Sequence, residues 1–383
     1  TYYHPSNSFI YLYGNMDMTE KLDFIDKKYL SVFDSLHVDS EIQEQKPFDK
    51  MHDLVMEYPV AESESEENNS YLAYSVVTGN AMNSLECTAF DVLDYALLSA
   101  PGAPLKQALL DAGIGKDIYG DYSDGVLQPY FSVIAKGART ARKEEFVSII
   151  RNCLQDIVKN GIDKKAVLSG INYMEFRYRE ADFGQFPKGL MYGLDIMGSW
   201  LYDDENAFSQ VQLLSIYDRL KEAVNEGYFE KLIQKWLLDN THGLILTLVP
   251  KRGLAAQREK ELADKLEAYR SSLSDGQLEE MVEKTKALEA YQESEERPED
   301  LQCIPMLKRS DIRKEVNGFS NEELQVDNSL FLYQDVCTNG IGYVNVMFEI
   351  RDMAVEKVHY LGLLKSVLGY VDTENYTYGQ LFN

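Results

Sequence analysis

Histidine is scarce in this chain of 383 residues, and what there is lies scattered: His4, His37, His52, His242 and His359. No two of them stand four apart, and neither H-E-x-x-H nor H-x-x-E-H occurs. A zinc site needs several convergent N, O or S ligands, so no local metal site is expected. The glycines form no phosphate loop, because Gly113-Ile114-Gly115 lacks the following glycine and a preceding strand. Gly-x-Ser-x-Gly is absent, and Ser169-Gly170 falls inside a helical pattern, which excludes a nucleophile elbow. The four cysteines, Cys87, Cys153, Cys303 and Cys337, are widely spaced with no C-x-x-C pair, so they read as free thiols of a reducing compartment. No apolar run approaches the roughly 20 residues of a membrane helix, and no charged-then-apolar leader follows Thr1. The expectation is a soluble, cytoplasmic chain whose first residue is a processing boundary. Basic residues are also few, 38 against 63 acidic, for a net charge of −25. That field repels phosphate backbones, so nucleic acid is excluded as a partner while cationic peptides would be attracted.

Hydrophobic residues make up 45% of the chain, enough for two domains and a partial third. After the turn His4-Pro5-Ser6-Asn7, the run Phe9 to Asn15 predicts a strand without a nearby partner, as if its sheet lay upstream. Thr19 to Leu36 reads as an amphipathic helix capped by Thr19, and residues 38–70 as a polar, acidic linker or loop between strands. Strands are predicted at 71–77, 118–122, 130–136 and 244–249, the last closed by Pro250. Helices are predicted at 87–99, 105–112, 143–159, 164–179, 190–202, 210–225 and 228–238. Because strands and helices do not alternate strictly, the pattern predicts an α+β fold: a two-layer sandwich of mixed or antiparallel sheet with helices on one face.

Residues 254–296 are highly charged, with Leu262, Leu266, Tyr269 and Leu273, then Leu278, Met281, Val282, Thr285 and Leu288 at helical spacing. Ser274-Asp275-Gly276-Gln277 between the runs has capping-box form, so a helical hairpin is expected, ended by Arg297-Pro298. An irregular stretch with Pro305 and Gly318 follows. Then a hairpin of 329–336 and 343–350 is predicted around Thr338-Asn339-Gly340, with a helix at 355–368. This last α+β unit has too little sheet to cover its helix and reads as truncated. The expected organisation is therefore a closing strand of an upstream domain at 1–18, a complete α+β domain at 19–252, a hairpin linker at 253–300, and a connector with a truncated α+β unit at 301–383.

Two clusters could carry binding. Glu175, Glu180 and Asp182 lie near Arg177 and Arg179, where a salt-bridged helix face is the simpler reading. Tyr119, Tyr122 and Tyr130 flank Asp124-Gly125 and could line a peptide groove, or simply pack within strands. No residue is assigned as catalytic or metal-binding, and no substrate-binding residue can be named.

The order of elements, more than any site, resembles a known family. His4-Pro5-Ser6-Asn7 with Phe9 to Asn15 resembles the end of a first domain in the pitrilysin/insulinase metallopeptidase family, presequence-protease branch. Leu97-Leu98-Ser99 through Pro104-Leu105-Lys106-Gln107-Ala108-Leu109 to Gly113-Ile114-Gly115 resembles a helix pair of the second domain. Thr338-Asn339-Gly340-Ile341-Gly342-Tyr343 and Tyr376-Thr377-Tyr378-Gly379-Gln380-Leu381 resemble the start of the third. The resemblance implies four homologous domains in two halves joined by a helical hairpin. It places the zinc ligands in the first domain and the substrate-orienting groups in the fourth, neither of which is expected in this chain. What it implies here is a non-catalytic internal segment of a zinc metalloendopeptidase of unfolded peptides, providing a chamber wall and a hinge. Zinc would belong to the full-length parent, and the remaining domains of the same chain would be partners. Two alternatives stand beside it: a peptide-binding or assembly subunit on the same fold without protease activity, and an unrelated helical interaction scaffold.

Overall fold

Alternation along Ser70–Val77 builds the centre of the structure, a computed structural model that describes residues 2–302, 304, 306–316, 318 and 320–382. Ser70, Leu72, Tyr74 and Val76 are buried while Tyr71, Ala73, Ser75 and Val77 are half-buried, so this strand covers its core on one face only. Five strands form the sheet: β1 (His52–Val60), β2 (Ser70–Val77), β3 (Asp117–Ser123), β4 (Tyr130–Ala138) and β5 (Gly243–Arg252), in the order β1-β5-β2-β4-β3. The β2–β4, β2–β5 and β3–β4 ladders are antiparallel. The fold is α+β, as the pattern predicts.

Helices α1 (Met18–Lys28), α2 (Ser84–Asp94), α3 (Pro104–Asp111), α4 (Lys143–Asn160), α5 (Lys164–Glu180), α6 (Lys188–Trp200), α7 (Leu214–Ala223) and α8 (Tyr228–Leu232) precede or separate these strands. Phe90 and Leu93 of α2, Leu105 of α3, Phe146 and Ile150 of α4 and Phe229 of α8 meet Leu72, Tyr74, Phe131 and Val133 in one core. Each such fully buried side chain stabilises the fold by about 1.5–3 kcal/mol. Caps begin three of these helices: Asp17 accepts from the Glu20 N–H, Asn83 from that of Glu86, and Asp163 from those of Lys165 and Ala166.

By its contacts the chain divides into two units, Thr1–Lys251 with Asn339–Asn383, and Arg252–Thr338. The second unit contains α9 (Leu254–Ser272), α10 (Asp275–Gln292), α11 (Pro298–Leu301) and the strands β6 (Glu322–Val326) and β7 (Ser329–Tyr333). Ser274 forms the capping box with Gln277 at the start of α10, while Leu262, Leu266, Met281 and Leu288 stay about half exposed. In the first unit, α12 (Val355–Val367) and α13 (Tyr378–Phe382) follow near the C-terminus.

Several expectations are corrected. Residues 9–15 enter no ladder among the described residues, and Phe9, Tyr11 and Tyr13 lay their rings on α6. The first helix is shorter than 19–36, runs from Met18 to Lys28, and is capped by Asp17 rather than Thr19. The acidic stretch 38–70 contains β1, an edge strand whose charges and Pro59 suit solvent exposure and mask its apolar alternation. Strand β5 continues past Pro250, which lies beyond the last residue paired with β2, Leu248, so its missing N–H removes no bond there. Residues 210–225 are α7 flanked by 3-10 turns rather than one helix.

The last hairpin is β6–β7, closed at Asp327-Asn328, not the pair predicted around Asn339-Gly340. That Asn-Gly turn does form, both residues having positive φ, but residues 341–350 join no ladder. A turn is local chemistry, whereas a ladder needs a partner strand. Of the cysteines, Cys87, Cys153 and Cys337 are free thiols, and burial pushes Cys87 up to about 12. Cys303, Pro305, Thr1 and Asn383 lie outside the described residues.

Candidate functional site: the uncovered sheet face

The face of the sheet away from the core carries a continuous apolar strip. Across the ladders, Tyr71, Ala73 and Ser75 of β2 stand opposite Leu248, Leu246 and Leu244 of β5 and opposite Lys136, Ile134 and Ser132 of β4. Tyr119 of β3 lies opposite Ile134. From β1, the Tyr58 ring meets Tyr71 edge-on at 5.6 Å, and its hydroxyl donates to the Asn69 carbonyl at 2.5 Å. Ser75 and Ser132 share a 2.7 Å hydrogen bond between hydroxyls. Apart from Ser132, which is buried, these side chains are half-buried or exposed, Tyr119 by 37%, whereas Leu72, Tyr74 and Val76 on the opposite face are exposed by 1% or less. Burial raises the phenols of Tyr58 and Tyr119 above their ordinary value, and their neighbour Tyr71 adds to it. Such a surface has its backbone paired and offers aliphatic and aromatic faces. It can accept apolar side chains of an extended peptide.

The predicted tyrosine group is split by strand alternation. Tyr119 and Tyr130 fall on the uncovered face, while Tyr122 turns inward and stacks on Phe90 at 5.5 Å. The period-two rule applied to β3 separates Tyr119 from Tyr122 from sequence alone.

The carboxylate group resolves into separate partners. Glu175 is held by Arg179 at 2.7 Å and Lys221 at 2.5 Å. Burial would raise its carboxyl, but those two hydrogen-bonded cations bring it below its usual value. Glu180 accepts from the Tyr343 hydroxyl at 2.9 Å and Asp182 from the Gly184 N–H at 2.9 Å. Arg177 lies over the Tyr173 ring, 5.8 Å from its centroid.

One feature escaped prediction: the docking of residues 9–13 on α6. Gly189 and Gly193 stand four apart on one helix face, and a Cβ at either would overlap the ring of Tyr13 or Tyr11. Phe9 adds an edge contact with Trp200 at 4.8 Å. The signal was the glycine pair inside a helical pattern, which marks close approach.

The histidines do not converge. His4 Nδ1 accepts from the Ser6 N–H, His52 and His242 both pack against Phe48, and His359 lies against Tyr360. Burial holds His242 below the usual histidine range. Among the described residues no three His, Cys, Asp or Glu side chains come together in a way that could hold a metal ion, so the described donors do not fit zinc. Nor is any described helix long and apolar enough to cross a membrane.

Comparison with known proteins identifies relatives of this chain. Residues 1–173 match the family described as "Peptidase M16 inactive domain", and residues 248–383 match "Peptidase M16C associated". The chain is 40% identical over its whole length to Protein HypA of Clostridium perfringens, covering 39% of that protein. It is 30% identical to presequence protease 1, chloroplastic/mitochondrial, of Arabidopsis thaliana over 99% of this chain and 36% of the relative. With the mitochondrial presequence protease of Danio rerio the identity is 26%, over 96% and 36%. The chain thus spans well under half the length of these relatives.

Proposed function

Because the chain belongs to the pitrilysin/insulinase-type (M16) peptidase family, in its presequence-protease branch, we propose that it is a non-catalytic internal segment of a zinc metalloendopeptidase that degrades unfolded peptides. Its part would be one wall of a closed peptide chamber, formed by the uncovered sheet face, and a hinge at α9 and α10. The observation that carries this reading is the full-length match to proteins more than twice as long, one stretch of which is described as an inactive domain. No step of bond cleavage is assigned to residues of this chain. They would hold extended substrate by apolar contact along Tyr71, Ala73, Leu246 and Ile134. A cytoplasmic location is part of the same proposal, although two of the relatives carry organellar names; fractionation of cells would decide it.

The description of residues 1–173 as an inactive domain also favours a second reading, a peptide-binding subunit without protease activity. The test uses the full-length protein with an unfolded peptide. Chelator-sensitive cleavage, with a KM raised about tenfold by Leu246→Arg at unchanged zinc content, supports the wall. An unchanged KM would remove the wall role. Tight peptide binding with neither zinc nor cleavage would establish the second reading instead.

A further inference from the structure

Within the helix layer, α2, α5, α6, α7 and the turn between β3 and β4 enclose a cleft of about 390 Å³. Besides Asp182, which already accepts the Gly184 N–H, three carboxylates line it from three different elements: Asp91 from α2, Asp124 from the turn and Asp195 from α6. Among the described residues none of the three has an ion-pair partner. Arg177 also lines the cleft but is stacked on Tyr173 rather than set against a carboxylate. Tyr217 is only 4% exposed and packs its ring on Tyr178 at 5.9 Å. Its hydroxyl, facing the cleft, has no hydrogen-bond partner among the described residues. A buried phenol normally finds one. Burial raises the carboxyls of Asp91, Asp124 and Asp195, and the charge on Asp124 adds to the first and last of these. Three acids without an ion pair and a phenol without a protein hydrogen-bond partner thus line one cavity.

The missing partner has a definable chemistry. A metal ion needs donors converging on one point, and the described residues provide no such set. Carboxylates spread around a cavity instead suit a cation with several N–H donors. The rings of Tyr178 and Tyr192 add faces that attract positive charge. We propose that this cleft binds one alkylammonium or guanidinium group, carried by a free amine or by a Lys or Arg side chain of a peptide. Asp91, Asp124 and Asp195 are its ion partners and the Tyr217 hydroxyl accepts one of its N–H groups. The inference does not depend on the parent being a protease.

The experiment is calorimetric titration of this chain with two probes, n-butylammonium and Nα-acetyl-lysine N-methylamide. Saturable binding is expected, weakening as salt is raised. The pair Asp91→Asn and Asp195→Asn weakens it about 100-fold, and Tyr217→Phe about threefold. The Asn variants remove carboxylate repulsion, so they fold, as circular dichroism will verify. An equal charge change elsewhere, Glu259→Gln with Glu279→Gln, leaves the affinity within about twofold. Preference for the lysine amide assigns the peptide as source, and equal affinity assigns a free amine. The proposal is overturned if neither probe saturates the folded chain at millimolar concentration, or if the control pair weakens binding as much as the cleft pair.

Discussion

Strands β2 and β7 are similar strings, Ser70-Tyr71-Leu72-Ala73-Tyr74-Ser75-Val76-Val77 and Ser329-Leu330-Phe331-Leu332-Tyr333. Both are rich in aromatic and aliphatic residues, and both pair antiparallel with a neighbour. Yet β2 buries every second side chain, whereas every residue of β7 is exposed. The difference lies in what surrounds them. β2 has strands on both sides and a helix layer over one face, while β7 has β6 alone in a two-stranded sheet. Strand formation is set by side-chain type and turn chemistry, but burial depends on how many layers are present.

The largest effect should test that contrast. Phe146→Ala, at a fully buried site in the first unit, is expected to cost about 3–5 kcal/mol in denaturant unfolding, against less than about 1 kcal/mol for Phe331→Ala, half exposed on β7. Equal losses would show that β7 is buried in solution after all.

Next comes the ion-pair centre of the first unit. Glu175→Gln should cost about 1–3 kcal/mol at neutral pH, because Arg179 and Lys221 lose a shared, largely buried partner. The Glu175 carboxyl titrates lower in the folded chain than in the unfolded one. Its stabilisation is therefore complete above the unfolded value of about 4.3 and is lost as pH falls through the folded one. The gap between wild type and variant should close below about pH 4; a gap that persists there would mean that packing, not charge, dominates.

A smaller loss is expected where the N-terminal segment meets α6. Gly189→Ala places a methyl group against the Tyr13 ring and should cost about 1–2 kcal/mol, with faster protease cleavage near residues 8–15. Unchanged proteolysis would show that the segment is not held there. The smallest effect belongs to the second unit: Ser274→Ala removes the α10 cap and should cost about 1 kcal/mol or less, seen as faster amide exchange in the first turn of α10 alone. Faster exchange elsewhere is not expected, since no core depends on that cap.

Much of the candidate site was legible in residue type. The alternation of Tyr71, Ala73 and Ser75 against Leu72, Tyr74 and Val76 is visible in the string, as is the Asp124-Gly125 turn joining β3 and β4. What could not be read was partnership. β1 was hidden because Asp53, Glu57 and Pro59 interrupt its apolar run and acidic stretches flank it. Asp91, Asp124 and Asp195 are 33 and 71 residues apart in sequence and meet only through the packing of α2, α6 and the turn.

By itself, then, the sequence determined the local elements: helix lengths set by apolar spacing and caps such as Asp163 and Ser274, strands by β-branched and aromatic runs, and the lack of a local metal motif. Tertiary structure alone decided which face of the sheet the helices cover, that residues 9–13 lie on glycines of α6 instead of pairing, and that three distant aspartates share a cleft. The reason is physical. Capping and turn chemistry act within a few residues, so they are written in adjacent letters. Burial and charge proximity depend on distances that only the folded chain closes.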